Sequence, residues 1–118
     1  MIGQWQALVI DCEDPDKLAS FYQELLGMIR VQEDEEWISI GDAAGLPSVD
    51  FQRVERLVRP QWPDADHPQQ MHVDVLVEDL DAGEAAVLLL GATSLDAGTE
   101  TFRVFSDPSG HPFCLVLS

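Results

Sequence analysis

The first element of the chain is marked by alternating apolar and polar positions. In QALVIDC, residues 6 to 12, the two-residue period predicts a strand with one buried face. Asp14 predicts the N-cap of a following helix, Pro15 its first position and Gly27 its end. The apolar residues between these signals recur at the spacing of one helix face: Leu18, Phe21, Tyr22 and Leu25. The chain therefore begins with a strand and then a helix.

The second half of the chain repeats these signals. In MHVDVLVEDLDAGEAAVLLLGAT, Asp79 takes the place of Asp14 and Gly91 that of Gly27. Three strand candidates follow each helix, around residues 29–32, 36–40 and 48–54, and then around 93–95, 101–105 and 112–117. Each half therefore predicts a βαβββ module, and the E-D-x-D sequence at 13–16 and 78–81 marks the same strand-to-helix corner.

The segment between the halves, RLVRPQWPDADHPQQ, is polar and rich in proline. It has no hydrophobic period, which predicts a linker. We expect one domain over residues 1–118, with a first module at about 1–57, a linker at about 58–69 and a second module at about 70–118.

Length and composition narrow the class of protein. With 118 residues, of which 46% are hydrophobic, the chain can build the core of one domain. No apolar run approaches the roughly 20 residues of a membrane span, and MIGQWQ lacks the features of a signal peptide. We therefore expect a cytoplasmic protein. Cys12 and Cys114 stand far apart without a CxxC motif, which predicts reduced thiols.

The charge balance points away from polyanionic partners. Twenty-two acidic residues against six basic ones give a net charge of −16, which would repel nucleic acids and anionic membranes. The same charge would attract a cationic small ligand; the alternative is an acidic surface that serves solubility. The sequence also lacks a glycine-rich phosphate loop, a GxSxG motif and a Ser/His/Asp order, so we set those classes aside.

Strand parity selects the residues that face away from the helices. Val73, Val75 and Val77 are expected to face the core, so His72 and Asp74 face the open side. The same rule applied to the other strands adds further open-side residues: Asp11, Asp50, Gln52 and Cys114. Trp37 has two interpretations, an aromatic wall of a ligand site or a packing residue.

Four stretches together resemble the vicinal oxygen chelate superfamily, which includes glyoxalase I, extradiol dioxygenases and bleomycin-resistance proteins. These stretches are VIDCEDPDKLASFYQELLGM, VDFQRV, MHVDVLVEDLDAGEAAVLLLGA and FSDPSGHPFCLVLS. They are most similar to the small bacterial glyoxalase-like domain branch. The resemblance implies an α+β fold in which two βαβββ modules form a curled mixed sheet around a cavity. It also implies a homodimer.

Where members of this superfamily hold a metal, the ligands lie on the first and last strands of each half. Carried over to this chain, those positions are Ala7, Asp50, His72 and Cys114. Ala7 has no donor atom, Asp50 is shorter than the usual glutamate, and Cys114 replaces a glutamate with a thiol that favours zinc. We therefore expect no cofactor. The alternative is a divalent metal, zinc, iron or manganese, held by His72, Asp50 and Cys114.

The resemblance implies two main functional classes. In the first, the protein binds a small organic ligand, cationic in view of the charge, without the full metal site. The expected ligand-binding residues are His72, Asp50, Gln52, Cys114, Trp37 and Asp74. In the second, the protein is a metal-dependent lyase or dioxygenase. A structural domain is a third class, in which His72 is only hydrogen-bonded to Asp74. No catalytic residue is assigned, and a Cys114 nucleophile with His72 as its base is a minor alternative.

Overall fold

The structure is a computed structural model that describes residue 1 and residues 3–43 and 47–118. The chain divides into two compact units, Met1–Leu57 and Val58–Ser118. Each unit has the element order βαβββ, which confirms the module predicted for each half. No helix among these residues is long and apolar enough to cross a membrane.

The first unit is a helix packed on a four-stranded mixed sheet. Its elements are β1 (Ala7–Cys12), α1 (Pro15–Leu26), β2 (Ile29–Glu33), β3 (Trp37–Gly41) and β4 (Ser48–Arg53). The strand order is β1-β4-β3-β2, with β1 parallel to β4 and the other neighbours antiparallel. The first and last strands of the unit therefore lie side by side.

The second unit repeats this topology. Its elements are β5 (Val73–Leu76), α2 (Leu80–Leu89), β6 (Thr93–Gly98), β7 (Phe102–Ser106) and β8 (Pro112–Val116). The order is β5-β8-β7-β6, again with a parallel pair formed by the first and last strands. His72 lies one residue before β5 rather than within it.

Both helices begin at the residues that the sequence indicated, but only α1 ends at its predicted glycine; α2 ends at Leu89 with Leu90 as its C-cap, before the predicted Gly91. Asp14 caps α1 by accepting a hydrogen bond from the backbone N–H of Lys17 at 3.1 Å. Asp79 caps α2 by accepting from Asp81 at 2.8 Å and from Ala82 at 3.1 Å. Gly27 ends α1 in the left-handed conformation, with φ 67°. Because these caps satisfy N–H groups that the helix itself leaves unpaired, the repeated E-D-x-D sequence has a structural role at both corners.

The core of each unit lies between its helix and one face of its sheet. In the first unit, Tyr22 of α1 stacks on Phe51 of β4, with ring centroids 5.5 Å apart. In the second, Phe105 stacks on Phe113 at 5.6 Å, beside the fully buried Leu115. The face of each sheet opposite its helix is called the open face below, and it carries the alternate residues of each strand.

The predicted linker belongs to the second unit. Part of it is a closed loop in which Gln61 N–H donates to the His67 carbonyl at 2.7 Å and Asp64 N–H donates to the Gln61 carbonyl at 2.7 Å. Arg59 reaches from this segment to the turn between β7 and β8. The linker sequence therefore forms a wall of the second unit.

Candidate functional site

Asp50 is the centre of a polar cluster on the open face of the first unit. It is only 5% exposed. Trp37 Nε1 donates a hydrogen bond to Asp50 Oδ2 at 2.8 Å, and Ser48 Oγ donates to Asp50 Oδ1 at 2.6 Å. Both carboxylate oxygens are therefore engaged by neighbours on β3 and β4.

Strand register explains why these side chains meet. Ser48 and Asp50 are two residues apart on β4, so they share a face. On β3, Ser39 lies opposite Asp50 and Trp37 lies opposite Gln52. The carboxylate of Asp50 orients the indole of Trp37, whose ring forms part of the open face. Gln52 is exposed on the same face.

A second cluster lies on the open face of the second unit. Asp74 of β5 is the direct cross-strand neighbour of Cys114 of β8. His72 is two residues before Asp74, and its Nε2 atom is 3.3 Å from Asp74 Oδ1. The imidazole nitrogen, the carboxylate oxygen and the sulfur all lie within 4.8 Å of one another. His72, Asp74 and Cys114 are called the donor trio below.

The surroundings of Cys114 disfavour its thiolate. Partial burial of the thiol raises its pKa above the ordinary value, and the negative charge and hydrogen bond of Asp74 raise the pKa further. Since the thiolate is the reactive form of cysteine, this environment disfavours nucleophilic attack by Cys114 at neutral pH. A bound cation would reverse the effect, because metal ligation deprotonates a thiol.

The donor trio has the chemistry of a zinc site. Imidazole nitrogen, carboxylate oxygen and thiolate sulfur are all zinc ligands, and three protein ligands leave a fourth position open. The metal set predicted from the superfamily contained Asp50 in place of Asp74. Among the residues that the structure describes, the three metal-binding side chains whose donor atoms lie within 4.8 Å of one another are His72, Asp74 and Cys114, without Asp50.

The predicted ligand-binding residues therefore fall into two groups. The structure brings Trp37 and Asp50 together in the first unit, with Gln52 opposite Trp37. It brings His72, Asp74 and Cys114 together in the second unit. Sequence reasoning missed Ser48 as a donor to Asp50; the available signal was its position two residues before Asp50 in a predicted strand.

Two βαβββ units, each with its first and last strands paired in parallel, have the architecture of the glyoxalase/bleomycin resistance/dioxygenase fold. A family enzyme of this kind from Burkholderia phytofirmans has a TM-score of 0.74 and 14% identity, with 98% of each chain covered. The fosfomycin resistance protein FosX from Listeria monocytogenes has a TM-score of 0.73 and 14% identity, covering 100% of this chain and 93% of that one. A glyoxalase-related enzyme from Fulvimarina pelagi has a TM-score of 0.70 and 17% identity, covering 99% and 89%. At these identities the likeness shows the fold alone.

The family follows from the sequence itself. The glyoxalase-like domain family matches residues 7–116. The chain belongs to this family and thereby to the vicinal oxygen chelate superfamily, which confirms the resemblance drawn from its motifs. No curated protein matches its sequence significantly.

Proposed function

We propose that this protein binds a small organic ligand through the polar residues of its open faces, without the full metal site of its superfamily. One observation carries the proposal. Asp50, one of the positions where a metal ligand is expected, already accepts hydrogen bonds from Trp37 and Ser48 on its two oxygens. Ala7 offers no donor atom, so one of the four expected positions holds no metal ligand, and at the Asp50 position the carboxylate is already hydrogen-bonded to its neighbours.

The same contacts suggest how a ligand would be held. Asp50 fixes the indole of Trp37, which offers an aromatic surface to an apolar or cationic group. Gln52 offers an amide beside it. The open face of the second unit offers its own hydrogen-bonding groups, His72 and Asp74, whose side chains are 42% and 57% exposed. The net charge of −16 favours a cationic ligand.

Calorimetric titration of metal-free protein tests this proposal. Bleomycin serves as a cationic probe and fosfomycin as an anionic one, because proteins of this fold include resistance proteins. We expect bleomycin to bind without added metal. Trp37→Leu tests the open face of the first unit and His72→Ala that of the second, and the substitution on the face that binds the ligand should weaken binding about tenfold. Trp5→Leu is the matched control, because it replaces an exposed tryptophan outside the proposed ligand-binding residues. Binding that appears only after a divalent metal is added, with that metal held by the protein in the absence of bleomycin and lost in His72→Ala, would refute the proposal.

A metal-dependent lyase or dioxygenase is the second candidate, and the donor trio favours it. His72, Asp74 and Cys114 would hold the ion, which would act as a Lewis acid toward a bound oxygen atom. Elemental analysis of protein purified without added metal tests this candidate, together with titration by cobalt. Cobalt bound to a thiolate gives a charge-transfer band, which Cys114→Ser should remove and Cys12→Ser should keep. Stoichiometric metal lost in His72→Ala would replace the first proposal.

The remaining expectations stay predictions. They are a homodimer, a cytoplasmic location and the absence of nucleic-acid and membrane partners. Sedimentation at micromolar concentration tests the homodimer, for which an isologous twofold contact is expected. A single monomeric species would contradict it.

A further inference from the structure

The second unit contains a groove built from residues outside the donor trio. It lies between the segment Arg59–Trp62, the start of β6 and the turn between β7 and β8. Its volume is about 560 Å³, within the range of about 300–1,000 Å³ typical of small-molecule sites. The lining used below comprises Arg59, Pro60, Trp62, Thr93, Leu95 and Pro108.

The turn on one side of the groove is fixed by Asp107. This carboxylate is 2% exposed, and its Oδ1 atom accepts backbone hydrogen bonds from Ser109 at 2.8 Å and His111 at 3.0 Å. Asp107 N–H in turn donates to the His111 carbonyl at 2.8 Å. Asp107 also lines the groove, but its Oδ1 atom is engaged by its own turn. This turn holds the carbonyls of Pro108 and Ser109 toward the linker segment.

Those two carbonyls orient the guanidinium of Arg59. Its Nε donates to the Ser109 carbonyl at 2.9 Å, and Nη2 donates to the Pro108 carbonyl. Gly110 allows this approach, because a Cβ at that position would lie 2.9 Å from Arg59 Nε. Two of the five guanidinium N–H groups are thus used on neutral acceptors, and among the described residues the other three have no acceptor at hydrogen-bond distance.

Arg59 differs from other arginines of the chain in its charge balance. Arg30, Arg53 and Arg103 each form an ion pair with at least one carboxylate, whereas Arg56 and Arg59 form none among the described residues; of these two, Arg59 is held in place by two carbonyls and lines the groove. No carboxylate in the described ranges forms such a pair with Arg59. In a chain with 22 acidic and six basic residues, a positioned guanidinium without an anionic partner suits an anionic ligand.

The rest of the groove offers apolar surface. Trp62 is partly buried, and the closed loop from Gln61 to His67 holds it in place. Pro60, Leu95 and Pro108 add apolar wall. A ligand with a flat hydrocarbon body could cover the indole while its charged end reaches Arg59.

We propose that this groove binds a small aromatic carboxylate. The carboxylate accepts hydrogen bonds from the free N–H groups of Arg59, and the ring packs against Trp62. Planar, two-pronged pairing is the geometry that arginine and carboxylate share. This site uses other residues than the proposed function does, so the two can fail separately.

Titration of the full chain with benzoate, followed by ¹H–¹⁵N NMR and calorimetry, tests the proposal. Benzamide is the neutral probe of matched shape, and benzylammonium is the cationic one. We expect saturable binding of benzoate and binding about tenfold weaker for the other two. Arg59→Gln should weaken benzoate binding about tenfold, whereas His72→Ala should leave it unchanged.

A second variant keeps the test valid if loss of Arg59 loosens the fold. Thr93→Glu places a carboxylate in the groove from an exposed position of β6 and leaves the contacts of Arg59 intact. It should abolish benzoate binding. Ala86→Glu makes the same change of charge on the exposed side of α2 and should have no effect. Equal affinity for benzamide, or benzoate binding that survives both Arg59→Gln and Thr93→Glu, would overturn the proposal and leave Arg59 as a structural contact only.

Discussion

Replacing Asp50 by alanine should destabilise the first unit strongly, because the residue accepts one buried and one partly buried hydrogen bond. Its partners, Trp37 Nε1 at 2.8 Å and Ser48 Oγ at 2.6 Å, would each lose an acceptor. A donor left unsatisfied in a buried site costs about 1–3 kcal/mol. Removing a buried charge relieves some desolvation, which offsets part of this loss. We expect Asp50→Ala to lower the free energy of unfolding by about 2–4 kcal/mol.

Urea unfolding of a double-mutant cycle isolates the contact with the indole. The cycle comprises wild type, Asp50→Ala, Trp37→Phe and the double variant. Phenylalanine keeps an aromatic ring but removes the donor, so the coupling energy reports mainly the hydrogen bond. We expect a coupling of about 1–3 kcal/mol. Gln52→Ala, an exposed neighbour on the same strand, is the control and should change stability by less than about 0.5 kcal/mol.

The cycle also bears on the proposed function. If Asp50→Ala and Gln52→Ala lower the free energy of unfolding equally, neither hydrogen bond to Asp50 contributes to stability; a coupling near zero would remove the Trp37 bond alone. In the first case Asp50 would be free to bind a ligand or a metal, and the main support for a site without metal would be lost.

Three further predictions concern the caps, the thiol and a close contact of the backbone. Asp79→Ala should lower the free energy of unfolding by about 0.5–2 kcal/mol. The loss should exceed that of Asp14→Ala, because Asp79 accepts hydrogen bonds from two backbone N–H groups and Asp14 from one. Urea unfolding that shows no loss would contradict the capping role. At pH 8, iodoacetamide should react with Cys114 more slowly than it reacts with the thiol of free glutathione, because burial and Asp74 raise the pKa of Cys114. Asp74→Asn should speed the reaction of Cys114, measured by mass spectrometry. A rate for Cys114 above that for glutathione would refute this prediction. Gly98→Ala should lower the free energy of unfolding by about 1–3 kcal/mol from its backbone conformation alone. Gly98 has φ 145°, and a Cβ added there would lie 2.2 Å from a carbonyl oxygen. Unchanged urea unfolding would show that the β6–β7 hairpin adjusts freely.

The elements of the fold were predictable because their signals are local. Asp14 and Asp79 mark helix starts by their own hydrogen bonds, and the two-residue period marks the strands. β6 was predicted to end near residue 95 but runs from Thr93 to Gly98. Its pairing with β7 shifts register between Ser94 and Ala97, and Asp96 has φ 52°. Aspartate and glycine, as at Asp96 and Gly98, favour turns, so the extension of the strand beyond residue 95 depends on pairing with β7.

The site was predictable only as far as strand parity extends. Parity placed Asp50 on the open face, but it contains no information about which neighbours cover it. That Trp37 and Ser48 enclose Asp50 depends on the register between β3 and β4. In the same way, Asp74 becomes a partner of Cys114 only through the pairing of β5 with β8.

The repeated topology gives equivalent positions to residues with different chemistry. Val9 pairs with Asp50 across the parallel strands of the first unit, and Asp74 pairs with Cys114 at the equivalent place in the second. The cross-strand partner of Asp50, Val9, is apolar, and its hydrogen-bond donors are the indole of Trp37 and the hydroxyl of Ser48. The Asp50 carboxylate therefore has a structural role. Beside Asp74 stand an imidazole and a thiol, both of which exchange protons and bind metals. The backbone alone therefore does not decide the chemistry, and the donor trio of the second unit is where metal binding or its absence will be determined.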